Sequence, residues 1–95
     1  MRAVRVFHQK YLLRDGAIVE MTIWQVPQPV RGSRHRLKYR LFYGYPGTRI
    51  VGYDNEIGKS DHRHLGGAEV AYRFIGVERL IADFLADVKR ERGET

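Results

Sequence analysis

The chain has no cysteine, so disulfides, thiolate zinc sites and a thiol nucleophile are excluded. The absence fits a reducing compartment, and a cytoplasmic location is the expectation. No apolar run approaches the length of a membrane span. The N-terminus alternates charged and apolar residues, where a secretory leader would carry a continuous apolar core. Proline is scarce, and two of the three, Pro27 and Pro29, sit together, so nothing interrupts residues 1–26. Acidic residues are scarce in the first half. Residues 1–49 hold ten Lys/Arg against Asp15 and Glu20, a balance of +8, whereas residues 50–95 hold seven against nine, a balance of −2. Such asymmetry points to one electropositive face, whose default partner is a polyanion such as RNA or DNA. What is present is ordinary for a folded protein: 43% apolar and 29% charged residues argue against disorder. With 95 residues the expectation is a single domain spanning 1–95, able to bury roughly 60–65% of its unfolded surface.

Two periodicities divide the chain. Up to Phe74 the apolar residues recur at period two, and from Val77 they recur at the helical period. Residues 3–14 and 17–26 read as strands joined at Asp15-Gly16, a pair suited to a two-residue type I′ turn. Residues 35–44 alternate cleanly, with Leu37, Tyr39, Leu41 and Tyr43 on one face and Arg36, Lys38 and Arg40 on the other. Pro46-Gly47 turns this strand into a fourth, 48–54, and 69–74 reads as a short fifth. Val77, Leu80, Ile81, Phe84, Leu85 and Val88 form one helical stripe, with Gly76 at the N-cap. The fold class expected is α+β: an antiparallel sheet of about five strands with one C-terminal helix. One helix covers such a sheet poorly, so an uncovered face or edge leaves room for a homodimer or another protein.

The densest chemistry lies in residues 53–64, Tyr-Asp-Asn-Glu-Ile-Gly-Lys-Ser-Asp-His-Arg-His. On an extended backbone, His62 and His64 would stand on one face about 6–7 Å apart along the chain. That spacing suits an acid and a base acting on one phosphate, with Asp54 orienting an imidazole and Lys59 among the cations that stabilise the charge. It equally suits a divalent metal held by His62, His64 and Asp54 or Asp61, or a polar loop whose imidazoles bond to backbone. Asn55 reads as a turn residue. The candidate phosphate-binding cations are Arg34, Arg36, Lys38, Arg40, Lys59 and Arg63, with Arg31 just before them. Tyr39, Tyr43, Tyr45, Tyr53 and Trp24 offer aromatic faces, although core packing explains most of them equally well.

The pattern Arg34-His35-Arg36-Leu37-Lys38-Tyr39-Arg40-Leu41, followed by Tyr53-Asp54-Asn55 and Asp61-His62-Arg63-His64, resembles the TumE family of small bacterial toxin–antitoxin proteins. Tyr72-Arg73-Phe74 and the terminal helix with Leu80, Asp83 and Phe84 extend the likeness over nearly the whole chain. The resemblance implies a growth-inhibiting toxin neutralised by a cognate helix-turn-helix antitoxin. It marks His62, His64, Asp54 and Asn55 as signature positions without assigning them roles. Two classes of function follow as expectations. One is an RNA-cleaving toxin using His62 and His64 as acid and base. The other is a non-catalytic module that binds nucleic acid or protein, with a structural or metal-bound histidine loop.

Overall fold

The computed structural model describes residues 2–55 and 60–94. Six strands precede one helix: β1 (Val4–Leu12), β2 (Ile18–Gln25), β3 (Leu37–Tyr45), β4 (Thr48–Asn55), β5 (Asp61–Leu65), β6 (Ala68–Ala71) and α1 (Val77–Glu91). Each strand pairs antiparallel with the next, so the spatial order β1-β2-β3-β4-β5-β6 is the chain order. The α+β architecture is the expected one, with one strand more. The extra strand is the histidine segment itself, β5, which turns into β6 through Gly66-Gly67 with Gly66 at φ 61°. Its residues Asp-His-Arg-His-Leu show no apolar alternation, which is why period two does not reveal it.

The first hairpin corrects the type I′ expectation. Among the described residues no non-glycine has positive φ, so Asp15 does not supply one; Gly16 alone does, at φ 88°. The loop instead spans Leu13–Ala17, held by Leu13 N–H to the Ala17 carbonyl at 2.8 Å and Gly16 N–H to the Leu13 carbonyl at 3.0 Å. Between β3 and β4, Pro46 and Gly47 form the two-residue turn that was expected, and Gly47 takes φ 79°. The ladder slips between Tyr43 and Gly44, and any Cβ at Gly44 would lie 2.0 Å from the Thr48 carbonyl oxygen.

Helix α1 covers one face. Gly76 caps it at φ 148°, and Glu78 near its start and Lys89 and Arg90 near its end suit the helix dipole. Leu80, Phe84 and Val88 bury themselves on a sheet surface made of Val19, Met21, Ile23, Tyr39, Leu41, Tyr43, Val51 and Tyr53. Phe84 meets the Tyr53 ring edge-on, with centroids 5.8 Å apart at 86°. Leu85, counted in the stripe by periodicity, is exposed. The buried tyrosines keep their hydroxyls bonded: Tyr39 to Asp61, Tyr53 to Asp87, and Tyr43 to Arg92. They are core residues, not stacking platforms.

This arrangement has a consequence at high pH. Burial, then the Asp87 hydrogen bond, pushes Tyr53 up to about 12. Burial and Asp61 raise Tyr39 further, and burial and Asp83 raise Tyr72. For an acid whose folded pKa lies above its unfolded value of about 10, the neutral form is the one the fold favours. The tyrosine contribution is therefore complete below about pH 10 and lost as pH rises through about 12. Urea midpoints measured against pH should fall steeply above about pH 10, and tyrosine absorbance should show ionisation accompanying unfolding.

Candidate active site and nucleic-acid face

Directly paired residues of an antiparallel sheet point to the same side. The register therefore assembles the face opposite α1 row by row. His8, Thr22, Arg40, Asp54 and His62 form one row across β1 to β5. Lys10, Glu20, Phe42, Gly52, His64 and Glu69 form the next, and Arg5, Trp24 and Lys38 flank the first on its other side. The basic strand residues and the histidines thus share one face, and the helix leaves it open. An open groove of about 670 Å³ runs over it, lined by Arg5, Lys10, Glu20, Trp24, Arg40, Phe42 and Arg49, among others. Gly52 makes part of this possible. A Cβ there would come within 2.6 Å of Arg49 Cδ, so the glycine lets the arginine lie over the sheet. Lys38 Nζ sits 5.9 Å from the Trp24 ring centroid.

At the β4–β5 end of this face three donors converge. His62 Nε2 is 2.6 Å from Asp54 Oδ1, and His64 Nε2 is 3.6 Å from the same oxygen. The two rings stand edge to face, 4.9 Å apart. The other nitrogen of His62 is fixed: Nδ1 lies 2.9 Å from the Ser60 carbonyl, to which it donates. Glu69 approaches from β6, 3.7 Å from His62 Nε2 and 3.9 Å from His64 Nδ1. His62 is buried in a regular strand, as the extended-backbone reading requires and the polar-loop alternative does not.

The alternate residues of the same two strands serve the helix side. Asp61 cannot join the histidines as a metal ligand, because it points the other way. It accepts from Ser33 Oγ at 2.9 Å and Tyr39 Oη at 2.8 Å, and its other close contact is His35 Nε2 at 2.7 Å. The His35 ring stacks on Phe74 with centroids 3.9 Å apart. Asn55, read as a turn residue, is buried. Its Oδ1 accepts from Tyr39 N–H, and its Nδ2 donates to the Leu37 carbonyl and Ser33 Oγ. Asn55 and Asp61 therefore pin the 26–36 loop and the start of β3 to the sheet. Arg63, grouped with the phosphate-binding cations, also faces α1 and donates to Tyr53 Oη at 3.2 Å and Asp87 at 3.4 Å. Hydrogen bonding to Tyr53 raises the pKa of its guanidinium above the ordinary value.

Of the remaining predicted cations, Lys38 and Arg40 are exposed on the open face and Arg34 and Arg36 are exposed beside its β3 entry. Lys59 lies outside the described residues. Arg5, Lys10, Arg49 and Glu69 also belong to this face but were not singled out from sequence. Only the strand register, which depends on turn geometry and two register shifts, brings them there.

Among the described residues no helix is long and apolar enough to cross a membrane. No curated protein and no solved structure matches the chain. A family model described as Toxin TumE matches residues 3–92, nearly the whole chain. The chain belongs to this toxin family, whose members have an antitoxin as their general partner.

Proposed function

We propose that this toxin arrests growth by cleaving RNA seated across the open face, with Asp54, His62 and His64 supplying the chemistry, and that a cognate helix-turn-helix antitoxin neutralises it. The observation that carries the reading is that Arg5, Lys10, Lys38, Arg40 and Arg49 share one face with Trp24, Phe42 and the histidine pair. Cations neutralise phosphates, aromatic faces accept bases, and such a surface suits single-stranded RNA better than a small ligand. Arg40 neighbours Asp54 directly across the sheet, so a phosphate held there lies beside the reactive cluster.

A simple acid–base pair fits this geometry less well than the spacing alone implies. Both Nε2 atoms turn toward Asp54, and that of His64 is closed off from solvent, so neither is presented to a ribose hydroxyl. That orientation supports a second reading, in which the cluster is a metal-bound structural element of an RNA-binding module.

The test is purified protein with end-labelled single-stranded RNA, comparing the parent with His64→Gln. Cleavage by the parent, and loss of about 100-fold or more in the variant with RNA binding retained, is the expected result. A 2′,3′-cyclic phosphate on the product would identify attack by the 2′-hydroxyl. RNA bound but left intact by the parent, alongside full growth arrest by His64→Gln, would overturn the enzyme reading.

A further inference from the structure

We infer that Asp54, His62 and His64 form a binding site for one divalent first-row transition-metal ion. The inference deepens the cleavage reading by giving the site a cofactor. It rests on that reading only for the ion's use in catalysis, because ion binding is measured without RNA.

The donor atoms carry the argument. One oxygen of Asp54 and one nitrogen of each histidine lie within 4.8 Å of one another. Two donors about 2.1 Å from a shared tetrahedral ion stand about 3.4 Å apart, and the two Nε2 atoms bracket that value at 2.6 and 3.6 Å from Asp54 Oδ1. The His62 tautomer is set by its surroundings. The Ser60 carbonyl can only accept, so Nδ1 carries the proton, and a neutral ring then points the Nε2 lone pair at the carboxylate. Two lone pairs in contact repel unless a cation lies between them. A protonated Nε2 would be the alternative, yet the 2.6 Å contact is not aligned as a hydrogen bond, and Asp54 Oδ1 makes none among the described residues. His64 Nε2 is likewise buried without a hydrogen bond among the described residues and is turned to the same oxygen. Buried polar atoms without partners are costly, and one ion would satisfy Asp54 Oδ1 and His64 Nε2 while taking the His62 Nε2 lone pair.

The second nitrogen of His62 on a backbone carbonyl is the usual outer support of a metal-bound imidazole. Two imidazoles and a carboxylate suit zinc, manganese, iron or cobalt, whereas magnesium and calcium prefer oxygen ligands throughout. The nearby charges are of both signs, since Arg40 stands across the sheet from Asp54 on the same face. Arg63, the basic residue between the two histidines in sequence, is turned to the other face, while Glu69 adds a second carboxylate within 4 Å of both rings.

The experiment uses untagged full-length protein stripped with chelator and titrated with Co²⁺ and, separately, Zn²⁺. Visible absorption of Co²⁺, metal content after gel filtration and the melting temperature are read. One ion per chain, a visible band showing imidazole coordination and a higher melting temperature are expected. Asp54→Asn and His64→Gln should each weaken uptake by more than the roughly 10–100-fold of an outer-support change. Glu78→Gln, on the exposed start of α1, should bind as the parent does. Circular dichroism checks that each variant is folded, and the parent titration decides the matter even if one is not. A folded parent that retains no stoichiometric ion overturns the site, as does uptake unchanged in both ligand variants. Metal-loaded protein that leaves RNA uncut removes the cleavage reading and keeps the site. Cleavage at full rate by a protein that binds no ion does the reverse.

Discussion

Phe84→Ala should cost about 3–5 kcal/mol and leave the protein with much reduced stability. A domain of this length has about 5–14 kcal/mol of total stability, so the loss is a large share of it. Phe84 is fully buried at the centre of the α1–sheet contact, against Tyr53, and α1 is the only helix among the described residues that covers the apolar face. Truncation would leave a cavity that β4 cannot close, because Tyr53 is held by Asp87 and Arg63. Leu85, its exposed neighbour, supplies the control: Leu85→Ala should stay within about 1 kcal/mol of the parent. Urea denaturation of the two variants checks both values.

Reversing charge at Lys38 and Arg40 together should weaken RNA binding by about 10- to 100-fold, or about 1.4–2.8 kcal/mol, while the fold survives. Both side chains are exposed on the open face, where single charges add little stability. Each phosphate contact on a single strand contributes about 0.7 to the slope of log affinity against log salt. Losing two should flatten that slope by about 1.4, which a loss of global structure would not do selectively. Filter binding across a salt series reads both effects. Growth arrest should fall with the affinity.

Much of this architecture is legible in the sequence because period two and period 3.6 are physically enforced by burial. Tyr39, Leu41 and Tyr43 are buried as their alternation requires, and Leu80, Phe84 and Val88 follow the helical stripe. β5 is not legible in that way. Its inward residues Asp61 and Arg63 are charged, and they can be buried or half-buried only because Tyr39, His35, Ser33, Tyr53 and Asp87 meet them from distant parts of the chain. No local pattern announces such partners. For the same reason Asn55 resembles a turn residue until its three hydrogen bonds to the β3 side are known. The histidine pair was visible from its spacing and Asp54 from its proximity in sequence. That Asp54 rather than Asp61 joins the pair follows from register, since Asp54 stands opposite His62.

The central claim, that RNA occupies the face opposite the helix, is tested most directly by the chain's single tryptophan. Trp24 lies on that face between Arg5 and Lys38, so its fluorescence reports what touches the groove. Titrating the protein with short single-stranded RNA at low salt should quench or shift Trp24 emission in step with binding, reverse on adding salt, and require about 10- to 100-fold more RNA in the Lys38→Glu, Arg40→Glu variant. RNA binding measured by filter retention with no change in Trp24 emission would place the nucleic acid elsewhere and contradict the account.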